Sequence, residues 1–282
     1  MLKADVTALV WAVSETHAGL EFLRDSTEFL EAYVKTTTLR ILWALSAAGT
    51  ERITLQHWRH STISEVLFQL DEENDINLAR DFFSYNHFYV IWCLFWELDE
   101  DEDSQLQKDD ILRYGQYGLT ARVVDRIWTL RHDRESEGMA YNDFVYFLLA
   151  EEDKQCAPAL QYWFHVLDID GDGAINRQDM LYFYEDLVVR LEAMGEEVVA
   201  FDEVVNELVD IAKPAERGRL RLADIKKSSL GYNIFSALTN VSTLSPPSPS
   251  YRPSRGPARP SYRPSRGRHR LSISLLRRCA ST

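Results

Sequence analysis

What this 282-residue chain lacks narrows it first. It has three cysteines, Cys93, Cys156 and Cys279, an odd number at wide spacing. That excludes a disulfide framework and suits a reducing compartment. No apolar run reaches the 18 or so residues that a membrane-spanning helix needs. The longest, Phe88 to Trp96, ends against an acidic segment. The opening Met-Leu-Lys-Ala-Asp places Asp5 at the head of its apolar stretch, a poor secretory signal, so a cytoplasmic location is expected and no membrane partner. Methionine is scarce, at four residues, which argues against an adaptable Met-lined groove. Residues 241–282 hold no Lys, Asp or Glu, only nine Arg as charged groups; removing those from the net −13 leaves about −22 on residues 1–240. The body is acidic and the tail basic, an asymmetry that marks a separate segment.

The acidic residues are not spread evenly. In the twelve residues 168–179, Asp168, Asp170 and Asp172 occupy positions 1, 3 and 5, Gly173 position 6, Ala174 position 7, Asn176 position 9 and Asp179 position 12. Carboxylates at 1, 3 and 5 surround a hard cation. A glycine at 6 makes the sharp turn, and the residue at 7 offers its backbone carbonyl. This is an EF-hand calcium loop by ligand type and spacing. Position 12 is Asp where Glu is usual. One methylene shorter, Asp179 either draws its helix inward or binds through one oxygen. Weaker calcium binding is expected, with magnesium as the competing ion.

A second loop, 99–110, places Asp99, Asp101, Asp103 and Asp110 at positions 1, 3, 5 and 12, with Gln105 giving its carbonyl at 7. Position 6 is Ser104, and a positive φ strains a residue with a Cβ. Two readings stand: a slightly distorted metal loop, or a solvated acidic run.

The body reads as helices. Phe82 to Leu98 is aromatic on nearly every face, as a buried helix would be, and runs into the first loop. Two further segments keep the loop shape without its acids, 132–143 and 213–224. Setting Met139 and Leu220 at position 8 predicts that Leu106 pairs with Met139 and Ile175 with Leu220 across two pairs of hands. The expected fold is all-α: an N-terminal helical lobe over 1–81, a first EF-hand pair over 82–150, a second over 151–240, and a disordered Arg/Ser/Pro-rich tail over 241–282. The tail repeats Ser-Tyr-Arg-Pro-Ser-Arg-Gly at 250–256 and 261–267, a composition that buries no core. A weaker signal at Gly49-Thr-Glu-Arg-Ile-Thr-Leu closes the N-terminal lobe without a ligand set.

Phe83-Ser-Tyr-Asn-His-Phe-Tyr-Val-Ile-Trp, Phe95-Trp-Glu-Leu-Asp, Tyr141-Asn-Asp-Phe-Val-Tyr-Phe-Leu, Glu151-Glu-Asp-Lys, Tyr162-Trp-Phe and Phe183-Tyr-Glu occur in order around the two loops. With them, residues 17–240 resemble the B-double-prime (B'') regulatory subunits of protein phosphatase 2A. His17-Ala-Gly-Leu-Glu-Phe-Leu and Glu28-Phe-Leu-Glu are similar to the plant FASS/TONNEAU branch. The resemblance implies a non-catalytic subunit that docks on the HEAT-repeat scaffold beside the catalytic subunit and directs substrate choice or location. For the plant branch it implies a link to microtubule arrays and cytoskeletal partners. It also implies that 99–110 and 168–179 are the two metal loops. The chain departs from the family in Asp179, in a short region before the hands, and in the loss of the family's continuation after about Asn240.

No catalytic set competes with this reading. There is no Gly-Asn-His turn of the kind that holds two metals in a phosphatase, and His57, His60 and His165 are lone histidines without a paired nucleophile. Two other classes remain: a stand-alone calcium sensor or buffer, and a cytoskeletal adaptor working through the basic tail. Nucleic acid is not an expected partner of the acidic body.

Overall fold

The computed structural model describes residues 1–46, 51–131 and 137–241. The 241–282 tail beyond Val241, the start of the 132–143 segment and Gly49–Thr50 lie outside the described residues. Among the described residues no helix is long and apolar enough to cross a membrane.

The first hand pair begins with helix α5 (Tyr85–Leu98), named in chain order after the four N-terminal helices given below. It starts three residues later than the aromatic run because Ser84 caps it, its Oγ accepting from the His87 N–H at 3.4 Å. Phe82 and Phe83 are buried ahead of the cap rather than inside the helix. The chain then passes through β1 (Gln105–Leu106), α6 (Lys108–Arg113), α7 (Ala121–Thr129), β2 (Met139–Ala140) and α8 (Tyr141–Glu152). The second pair runs α9 (Ala157–Leu167), α10 (Arg177–Met194), α11 (Phe201–Ala212) and α12 (Leu222–Ser228), with α13 (Gly231–Thr239) packed behind it. Pro158 sits in the first turn of α9, where its missing N–H costs nothing. Gly195 ends α10 in the left-handed conformation, at φ +74°.

The loops of each pair meet as the apolar position 8 predicts. β1 and β2 are antiparallel, with Leu106 opposite Met139. Ile175 and Leu220 exchange backbone hydrogen bonds of 2.9 and 3.0 Å. All four side chains are buried. The two pairs share one apolar core that includes Phe95, Phe144, Phe147, Trp163, Phe183 and Phe235. Trp163 satisfies its indole N–H on the Ala150 carbonyl at 2.8 Å, tying α9 to α8.

The N-terminal lobe consists of α1 (Lys3–Thr16), α2 (Thr27–Leu45), α3 (Leu55–His60) and α4 (Ile63–Glu72) around a second core. Helix α5 belongs to both cores: Phe88 faces the lobe, and Ile91, Leu94, Phe95 and Leu98 face the hands. Arg40 of α2 is buried and donates to the carbonyls of Arg80, Asp81 and Phe82, so the chain entering α5 is held by one guanidinium. The lobe also contains a short antiparallel bridge, Leu2 to Arg52, beside which the Met1 terminal ammonium donates to the Ile53 carbonyl at 2.9 Å and the Ile53 N–H to the Met1 carbonyl at 3.0 Å. Asp5 caps the Leu2 N–H at 2.7 Å, and Thr54 Oγ1 accepts from His57 N at 3.1 Å.

Candidate metal centres

Each metal loop is shaped by its own carboxylates. In 168–179, Asp168 Oδ2 accepts from Gly173 N at 3.0 Å, and Asp170 Oδ1 from Asp172 N at 3.1 Å. Asp172 Oδ1 accepts from Ala174 N at 2.9 Å, and Asp179 Oδ2 from Asn176 N at 2.8 Å. In 99–110 three of these bonds recur at the same positions. Asp99 Oδ2 accepts from Ser104 N at 3.0 Å, Asp103 Oδ1 from Gln105 N at 2.7 Å and Asp110 Oδ2 from Gln107 N at 2.6 Å. Gly173 turns at φ +83° and Ser104 follows it at φ +69°. The first loop therefore takes the hand conformation despite its serine, at a strain of roughly 1 kcal/mol.

The carboxylates converge. One oxygen from each of Asp99, Asp101 and Asp103 lies within 4.8 Å of the others, and the same holds for Asp168, Asp170 and Asp172. In each set the first Asp is buried and the other two are exposed. Asp99 Oδ1 and Asp168 Oδ1 are buried with no hydrogen-bond partner. An unpaired buried carboxylate oxygen is costly, and the remedies are a proton or a cation. Burial, followed by the neighbouring Asp101 and Asp103, raises the pKa of Asp99 above the usual carboxylate range. Two loops with the same orphaned oxygen at the same position, ringed by two more carboxylates, fit a hard divalent ion.

The position-12 residues are placed differently. Asp110 and Asp179 stand outside the three-carboxylate groups. Asp179 is buried with both oxygens occupied, Oδ1 by Ile169 N at 3.2 Å and Oδ2 by Asn176 N. Burial raises its pKa even so. Asp110 gives its second oxygen to Arg113 at 2.7 Å. Each side chain closes the capping box at the head of its own helix. Gln105 and Ala174 occupy position 7; Gln105 pairs with Ala140 in the β1–β2 ladder, and Ala174 immediately precedes the Ile175–Leu220 bridge. Gln105 also accepts from Gly138 N through its side chain at 3.1 Å.

Sequence reasoning missed one participant. Arg219, at position 7 of the acid-poor loop 213–224, reaches Asp172 Oδ2 at 2.7 Å. Its signal was adjacency, since Arg219 precedes Leu220, the residue paired with Ile175. The histidines assemble nothing: His57, His60 and His165 each bond a backbone carbonyl, of Leu45, Gln56 and Gln161.

Residues 1–73 match the EF-hand domain family. The match falls on the lobe that carries the Leu2–Arg52 bridge, ahead of both acidic loops. The chain is 41% identical over 244 residues to the probable B''epsilon regulatory subunit of serine/threonine protein phosphatase 2A from Arabidopsis thaliana, covering 85% of this chain and 46% of that protein. It is 38% identical to the human B'' subunit alpha over 85% of this chain and 21% of that protein. The chain thus spans about half or less of the length of these relatives. Among solved structures it superposes on a chain of a PP2A PR70 holoenzyme designated diCa. The TM-score is 0.82 at 37% identity, over 86% of this chain and 91% of that one. These relatives are named as regulatory subunits, in agreement with the absence of a catalytic set from the sequence.

Proposed function

We propose that this chain, which belongs to the B'' family of protein phosphatase 2A regulatory subunits, binds calcium through loops 99–110 and 168–179. Through the hands so fixed, it docks on the scaffold and catalytic subunits as a non-catalytic targeting subunit. The carrying observation is the matched pair of buried, partnerless oxygens, Asp99 Oδ1 and Asp168 Oδ1, on residues that each group with two further carboxylates. The chemistry supplied by the ion is charge neutralisation. Asp99, Asp101 and Asp103 with the Gln105 carbonyl, and Asp168, Asp170 and Asp172 with that of Ala174, would hold it. That closure sets the angle between α5 and α6 and between α9 and α10. With Asp110 and Asp179 engaged as helix caps, a bound ion would keep more of its water, so magnesium would compete. Direction of substrate choice or location, a cytoplasmic or cytoskeleton-associated site of action and a link to microtubule arrays belong to the same proposal. They rest on family resemblance rather than on geometry.

A free sensor would open a Met-rich groove. Here Met139 and Met180 are buried, and Met1 and Met194 are exposed on different elements, one ahead of α1 and the other at the end of α10. The test is capture of purified scaffold and catalytic subunits by the tagged chain, in calcium, in magnesium and in chelator. Calcium-dependent recovery of both subunits is expected. Equal recovery in chelator would remove calcium from the mechanism, and recovery of neither would remove the docking role.

A further inference from the structure

Arg219 stands where a second cation is not needed if the loop holds an ion. Its Nη2 lies 2.7 Å from Asp172 Oδ2, and both side chains are about a third exposed, at 35% and 33%. Asp172 Oδ1 is already held by Ala174 N, so the arginine takes the remaining oxygen of a position-5 ligand. The opposing loop delivers it: Leu220 is locked to Ile175 by two backbone bonds, which fixes Arg219 beside the acidic loop. In this pose Arg219 Nε is buried without a hydrogen bond, and Glu216 Oε2 lies 3.7 Å away. A short swing toward Glu216 would satisfy Nε and free Asp172. Loop 213–224 carries Lys213, Ala215 and Arg217 at positions 1, 3 and 5, so it has no ligand set of its own.

Resting on the reading of 168–179 as a metal loop, we propose that Arg219 is a built-in counter-cation of that loop. It neutralises Asp172 in the metal-free chain and must yield to the divalent ion, with Glu216 as its alternative seat. The acid-poor loop thereby sets the affinity of its partner. Arginine suits the task because its fork donates in two directions and stays charged at any cellular pH. A like charge a few ångströms from a divalent ion lowers its affinity, while the pair it forms with Asp172 is modest and screened.

The experiment titrates calcium, then magnesium, into the full chain and follows the Gly173 amide resonance. That N–H is held by Asp168, so it reports this loop and not 99–110. Three chains are compared: wild type, Arg219→Gln and Glu216→Gln. Arg219→Gln should tighten calcium about three- to tenfold and lower the melting temperature of the metal-free chain. Glu216→Gln, which removes the alternative seat, should weaken calcium binding. Unchanged or weaker binding by Arg219→Gln would overturn the proposal and leave the metal loop standing. A Gly173 resonance that does not respond to calcium in any chain would overturn the metal loop itself, and the proposal with it.

Discussion

Ser104 and Gly173 occupy the same position of two loops that fold alike, one with a Cβ and one without. Ser104 sits at φ +69°, exposed, and its N–H serves Asp99 just as Gly173 serves Asp168. The left-handed conformation costs a residue with a Cβ about 1 kcal/mol, which glycine avoids at some cost in unfolded-state entropy. Ser104→Gly should therefore stabilise the metal-free chain by about 0.5 kcal/mol, and Gly173→Ser should destabilise it by about 1 kcal/mol. Chemical denaturation of each variant checks both signs. Position 12 carries a second prediction. Asp179→Glu adds the methylene that separates a capping carboxylate from a ligand. It should strengthen calcium binding on the order of tenfold and leave magnesium nearly unchanged, since calcium accepts the extra oxygen and magnesium does not. Calorimetric titration with both ions is the check, and a parallel gain for magnesium would contradict the argument. At this scale the sequence was highly legible. Ligand spacing placed Asp99, Asp101 and Asp103 together, and Asp168, Asp170 and Asp172 together. It did not reveal Arg219, because an ion pair across two loops depends on which loops face each other.

Among the elements, the position-8 residues foretold the loop pairing because an apolar side chain between two loops has one place to go, against its counterpart. The aromatic run of α5 misled in part. It is not buried all round: Phe88, Ile91, Leu94, Phe95 and Leu98 face inward, while Trp96 is 37% exposed and Tyr85, Tyr89 and Trp92 are half-buried. Tyr85, Tyr89 and Trp92 lie against Phe29 of α2 in edge-on contacts, with centroids 5.0 Å apart for Trp92 and 6.4 Å for Tyr85. Helical periodicity alone does not show a partner more than fifty residues away. The same long-range packing creates a titrating contact. His87 Nδ1 accepts from Arg40 Nη2 at 2.9 Å, and burial, then the Arg40 charge, pushes its pKa down to about 4. The unfolded histidine takes up its proton near pH 6.5, so between about 6.5 and 4 the unfolded chain binds more protons than the folded one. Stability should be full above pH 6.5 and fall as the pH is lowered through that window. His87→Gln keeps an acceptor for Arg40 without the proton, and should flatten this limb in melts taken from pH 7 to pH 4.

For the whole molecule, the question is whether two hand pairs joined by one core act as one unit. Two segments were expected, 82–150 and 151–240, yet Phe144 and Phe147 of the first and Trp163, Phe183 and Phe235 of the second share an apolar interior. Sequence boundaries drawn from repeat units do not report such fusion, since each pair contributes a face that looks complete on its own. Lys154 stands at the joint. Its side chain is 1% exposed and pairs with Glu151 at 2.8 Å. Its ammonium lies 4.6 Å from the Trp163 ring centre, within reach of Ser236 on α13 at 3.4 Å. Removing one member of such a pair leaves the other charge buried, at a cost of about 3–5 kcal/mol. If the core couples the pairs, an ion bound in either loop stabilises both. Calcium at a hundredfold excess over its dissociation constant adds about 2.7 kcal/mol per site, which for a body of this size raises the melting temperature by roughly 5–10 °C. Thermal unfolding followed by calorimetry should show a single transition for the described body, moving as one with calcium. Silencing only the first loop with Asp99→Asn and Asp101→Asn should reduce that shift without splitting the peak. Lys154→Met should separate the transition into two, because it loosens the joint while leaving both loops intact. A wild-type melt with two peaks, of which calcium moves only the one belonging to the loop it fills, would mean that the shared core packs the pairs together without coupling them.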